Sequence, residues 1–149
     1  MSKKFDRVLS ELQKVLGIPL HIDETGACSI LLNDLITLQL EIDPGENYLI
    51  IGSYLIEILP GRFREMVLKA ALKANYGKEK GIGSFSYIPK TGQLFLFESI
   101  PLSFVEPEQF FPYFHQLANK AAIWKGSLEK GVIPSPAQFL NPPFGPTPR

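Results

Sequence analysis

The chain has 149 residues, with 15 basic and 15 acidic side chains for a formal net charge of zero, 45% hydrophobic residues and one cysteine. That length suits a single domain with its own core, while a neutral balance argues against nucleic-acid binding, which needs a basic surface to neutralise phosphates. A lone cysteine excludes an intramolecular disulfide and a cysteine-rich metal site, and no apolar run nears the roughly 18 residues of a membrane span.

The N-terminus interleaves charges with apolar residues, unlike a secretory signal, so the reading is a soluble cytoplasmic protein without membrane insertion. From Ser2 to Leu16, Phe5, Val8, Leu9, Leu12, Val15 and Leu16 recur at three- and four-residue steps, which predicts an amphipathic helix. Ser2 is the expected N-cap, and Gly17 followed by Pro19 the stop. Strands follow. Cys28–Leu32 is the first, ending at Asn33-Asp34. Ile36–Ile42 alternates apolar with polar, as a half-buried antiparallel strand does. A strong turn at 43–47 leads into Tyr48–Ile58, where Gly52 is expected to mark a bulge or bend.

Pro60-Gly61 starts a second helix rich in Ala, Leu, Met, Lys and Arg, and Asn75 and Gly77 end it. Phe63, Met66, Val67, Ala70 and Ala74 form one stripe, while Leu68, Ala71 and Leu72 point to a neighbouring face. Two apolar faces fit either a helix buried on most sides or one shared between a core and a dimer interface. A hairpin turning at Pro89–Gly92 joins two aromatic-rich runs. A third helix opens at Val105-Glu106-Pro107-Glu108, with acidic residues favourable to the helix dipole. It runs past Trp124 to about 125–128, with Pro112 expected to disturb its start. The order α-β-β-β-α-β-β-α predicts an α+β fold on an antiparallel sheet. Residues 1–131 form the domain; 132–149, proline-rich and uncharged until Arg149, read as an extended or disordered tail. Phe139, Leu140 and Phe144 give that tail apolar groups with which to dock.

The polar residues supply no catalytic constellation. His21 and His115 lack ligands at metal spacing. Cys28 alternates with apolar residues and reads as a small core side chain. Glu41 and Asp43 sit two apart on a half-wet strand. Gly81-Ile82-Gly83 lacks the third glycine and following helix of a dinucleotide site. Pro143 to Pro146 has the spacing of a groove-binding proline motif, common by chance in proline-rich termini. Neither an enzyme nor a cofactor is expected, and abundant apolar surface points to polypeptide binding.

The run from Leu59 to Trp124 resembles the class I chaperones of bacterial type III secretion, the Tir-chaperone family. The resemblance lies in the helix ending Leu72-Lys73-Ala74-Asn75, the Gly-rich link, the hairpin with its Thr91-Gly92 turn, and Trp124 near the end of the last helix. The element order extends the match over residues 2 to about 128. This resemblance implies a homodimer joined through Met66, Leu68, Ala71 and Leu72 of the central helix and Phe85, Tyr87 and Ile88 of the next strand. It also implies a bacterial cytoplasmic protein that holds the N-terminal region of a secreted effector extended and export-competent, with the export ATPase a further candidate partner. By the same likeness, grooves between the first helix and the sheet would receive effector anchors at Val8, Leu12, Leu31, Leu38 and Leu40, each of which could equally belong to the core. A competing class reuses the dimer fold to bind a folded partner. The neutral charge and the proline-rich tail both depart from the family pattern.

Overall fold

The computed structural model describes residues 3–77, 80–104 and 106–146. The expected N-cap Ser2, the helix-opening Val105 and the last three tail residues lie outside the described residues. Helix α1 (Lys3–Leu16) precedes strands β1 (Cys28–Leu32), β2 (Ile36–Ile42) and β3 (Tyr48–Glu57). Helix α2 (Arg62–Ala74), the hairpin of β4 (Ser84–Ile88) and β5 (Gln93–Pro101), and helix α3 (Pro107–Glu129) complete the expected order. The strands form one antiparallel sheet in the order β1-β2-β3-β5-β4. Strands β1 and β4 are therefore its edges.

Period-two alternation decides which side chains enter the core. Cys28 and Ile30, then Ile36, Leu38 and Leu40, then Leu49 and Ile51, then Leu94 and Leu96 are all at most 1% exposed. They form one cluster with Phe5, Val8, Leu9 and Leu12 of α1, and with Phe110, Leu117 and Trp124 of α3. Ser53 shares this buried face, satisfied by donating its hydroxyl to the Thr37 carbonyl at 2.8 Å. Pro112 sits inside α3, which stays helical from Pro107 onward. The irregular start expected from Pro112 does not interrupt the helix.

Gly52 is not the bulge. The register shift falls between Tyr54 and Ile56, so Leu55 and Ile56 both lie opposite Leu94, as the two residues of a bulge do. That extra residue re-phases the strand end and brings Ile58 into the core at 4% exposure. Gly52 instead provides a bed for an aromatic ring, because a Cβ there would overlap Phe95.

The β4 edge is closed by a side chain. Asn75, just past α2, donates from Nδ2 to the Phe85 carbonyl at 3.0 Å and accepts the Phe85 amide on Oδ1 at 2.7 Å. This amide imitates the next strand of the ladder and covers one edge position that would otherwise be open. It also anchors α2 to the sheet, which the helix otherwise meets mainly through Val67 and Ala71. Asn75→Ala removes both bonds and is expected to lower stability by about 1–3 kcal/mol, read from urea denaturation. An unchanged midpoint would show that the clamp contributes nothing.

Candidate functional site

The helices bury one face of the sheet. The other face carries Leu31 of β1, Thr37, Gln39 and Glu41 of β2, Ile50, Gly52 and Tyr54 of β3, and Phe95 and Phe97 of β5. Register places Tyr54 opposite Phe95 and Gly52 opposite Phe97. Phe95 lies over Gly52, its ring centroid 4.6 Å from Tyr54 and 5.8 Å from Phe97, with which it stacks at 11°. Three rings thus form a ladder across two central strands, and Tyr54 is 44% exposed. Aromatic pairs of this kind hold one another rigid and offer a large apolar contact surface.

Among the effector-anchor residues proposed from the sequence, only Leu31 lies at the surface, 57% exposed. Val8, Leu12, Leu38 and Leu40 are core residues, with α1 closed down on the sheet. Periodicity grouped them correctly on facing surfaces. It carried no sign that those surfaces would meet each other and leave no groove between them. The aromatic ladder was missed, although Gly52 in a strand facing a Phe-rich strand was its available signal.

The candidate interface residues divide as well. Met66 and Leu72 are 50% and 60% exposed, Leu68 is half-buried and Ala71 is buried beneath the helix. Six residues advance an α-helix by about 240°, so Met66 and Leu72 leave α2 on different sides. Leu68 and Leu72, one turn apart, share a flank. On β4, Phe85 is buried against Trp124 with ring centroids 4.4 Å apart. Tyr87 is half-buried with its hydroxyl 3.3 Å from Arg64 Nη1, and Ile88 is half-buried on the opposite face.

The polar residues have structural work. Asp43 accepts amide hydrogens from Tyr48, Asn47 and Gly45; these bonds, Tyr48 foremost, hold its carboxyl below the usual range. It therefore closes the β2–β3 turn instead of pairing with Glu41. Burial, assisted by Asp23, raises the Cys28 thiol, the opposite of what a nucleophile needs. His115 donates from Nε2 to the Gly145 carbonyl at 2.9 Å. Among the described residues, no group of three His, Cys, Asp or Glu could hold a metal ion, and no helix is long and apolar enough to cross a membrane.

The segment after α3 runs along that helix. Asn119 accepts the Phe144 amide at 2.7 Å and donates to the Gly145 carbonyl at 2.9 Å, while Gln138 donates to Ser127 Oγ at 2.6 Å. A short 3-10 turn, Pro136–Phe139, is closed by a Ser135–Gln138 capping box.

The model of the Tir chaperone protein (CesT) family matches residues 7–125. Among solved structures, the chain is similar to one from the HopA1–SchA chaperone–effector complex, with a TM-score of 0.66 at 18% identity over 83% of this chain and 94% of the other. A chain of the ExsC–ExsE complex gives 0.64 at 20% identity, covering 91% and 98%. One from the ExoT–SpcS complex of Pseudomonas aeruginosa gives 0.61 at 19%, covering 81% and 97%. At these identities the likeness is one of fold. No curated protein matches in sequence.

Gly52→Ala is expected to lift the Phe95 ring off the sheet and to cost about 1–3 kcal/mol by overpacking. Thermal denaturation reads the cost, and loss of the Tyr54–Phe95 ring contact by NMR reads the displacement. A variant that keeps both would remove Gly52 from the ladder.

Proposed function

The chain belongs to the Tir chaperone protein (CesT) family, and we propose that it is a type III secretion chaperone that acts by contact and not by turnover. It binds the N-terminal region of a secreted effector in extended, non-globular form and keeps it soluble and export-competent in the bacterial cytoplasm. The observation that carries this reading is the open sheet face with its Tyr54–Phe95–Phe97 ladder. Exposed aromatic surface costs free energy in water until something covers it. An unfolded segment supplies apolar side chains without needing a fold of its own, and each anchor buried there contributes about 1.5–3 kcal/mol. Chain ordering subtracts from that sum, so several anchors are needed.

Leu31 extends the same face to the β1 edge. Beyond the single bridge between Ile22 and Cys28, no described strand pairs with the outer side of β1. An extended effector segment reaching that edge could add main-chain hydrogen bonds to side-chain contacts. Two copies pair, in this reading, through the Leu68–Leu72 flank of α2 and the neighbouring β4 edge, and hand the effector to the export ATPase.

Three results test this. Limited proteolysis of the complex purified with its client should leave a short protected client segment; a protected folded client domain would favour a regulatory subunit instead. Tyr54→Glu places a charge in the ladder and is expected to weaken client binding at least tenfold, about 1.4 kcal/mol, with little change in melting temperature. Unchanged affinity would remove the open face from the site. Leu72→Glu should convert the dimer to a monomer in analytical ultracentrifugation; a variant that stays dimeric moves the interface elsewhere.

A further inference from the structure

A concave site lies on the opposite flank of α2 from Leu68 and Leu72. It is a cleft of about 690 Å³ between the C-terminal end of α2, the link at 80–82, the outer side of α3, and the segment after it. Lys73 and Tyr76, Lys80, and Lys120 and Trp124 of α3 line it. Pro136, Phe139 and Pro142 form the rim. That rim falls outside the family match, which ends at residue 125. Hydrogen bonds from Asn119 and Gln138 hold it in place.

The charge in this cleft is one-sided. Three lysines line it, and no described lining residue is acidic. Lys120 donates to the carbonyls of Ile82 at 2.8 Å, Lys80 at 3.1 Å and Gly83 at 3.4 Å, and its ammonium lies 5.1 Å from the Phe85 ring centroid. Those partners orient the ammonium without neutralising it. Glu98, the carboxylate that favours its charged form, is itself bonded to the Gly83 amide at 2.7 Å. Burial and the nearby Lys80 accordingly lower the Lys120 pKa from the usual 10.5 to about 8. An anion in the cleft would relieve that repulsion.

The walls narrow the choice of anion. Tyr76, Phe139 and the prolines give apolar and ring surfaces, with only an edge of the buried Trp124 beneath them, and mostly apolar walls with a few convergent polar groups suit an organic ligand better than a bare ion. We propose that this cleft binds a short acidic peptide segment, its carboxylates toward Lys73 and Lys80, in the positive field of Lys120, and its apolar side chains against the exposed rings of Tyr76 and Phe139. The site is separate from the open sheet face and does not depend on the effector reading.

Trp124 is the only tryptophan in the chain, so its fluorescence reports on the cleft. The full-length protein is titrated with a blocked peptide of alternating glutamate and leucine, with its lysine–leucine counterpart, and with inorganic phosphate. The expected result is a saturable change in emission with the acidic peptide alone. Combined Lys73→Glu and Lys80→Glu should weaken it at least tenfold, and combined Lys73→Gln and Lys80→Gln by less. Both lysines lie away from the core, and far-UV circular dichroism confirms that each variant is folded. No saturable change, an equal response to the basic peptide, or undiminished binding by folded charge-reversed protein would overturn the proposal. Saturation by phosphate at the same concentration would overturn the peptide assignment in favour of a simple anion site.

Discussion

A five-stranded antiparallel sheet has two faces, and in this chain the described helices bury one. That constraint organises the molecule. Strict alternation in β1, β2 and β3 sends Ile30, Leu38, Leu40, Leu49 and Ile51 to the helical side, where α1 and α3 exclude water from them. The same alternation puts Tyr54, Phe95 and Phe97 on the other side, where Tyr54 is exposed and the two phenylalanines are half-buried beside Ser84 and Ser86 of β4. An ordinary half-wet sheet would carry threonines and charges there, as β2 does with Thr37 and Glu41. The β3–β5 pair is thus apolar on the face where β2 is polar.

Edges are handled by different means at the two ends of the sheet. At β4, the Asn75 side chain takes up the Phe85 amide and carbonyl, so α2 and the edge strand become one unit. At β1, the bridge to Ile22 covers the start of the strand and leaves Leu31 outward. One edge is thus tied to a helix, and the other lies beside the open face.

Lys120 shows how a half-buried cation serves packing. Its ammonium gathers the carbonyls of the Gly-rich link, which lets Gly83, at φ +88°, pass within van der Waals reach of Leu96 and Leu117. A side chain at Gly83 would meet Leu117 Cδ1 at 2.9 Å and Leu96 Cδ1 at 3.0 Å, so the link needs glycine for space and for its backbone angle alike. The cost is a positive charge with little local compensation, facing a cleft completed by the chain's own proline-rich segment.

Periodicity and turn chemistry in the sequence determined the helices, the strands, their order and which residues of most elements share an apolar face, because those follow from local spacing alone. The hallmark Asn75 was visible as a helix end, but its bonds to Phe85 join residues ten apart through space. Which surfaces cover one another was decided only in three dimensions. Val8 and Leu12 carry the same pattern whether α1 lies flat on Leu38 and Leu40 or stands off to leave a groove, and close packing selects the first. Gly52 looked like a bulge because glycine in a strand answers two needs, flexibility and close approach, and only the position of Phe95 distinguishes them. The proline-rich segment carries no periodic signal, so its docking depends on hydrogen bonds from α3 residues some 11 to 26 positions away. Tertiary structure chose among arrangements that the sequence left equal, since local spacing specifies which face is apolar and only packing specifies what that face meets.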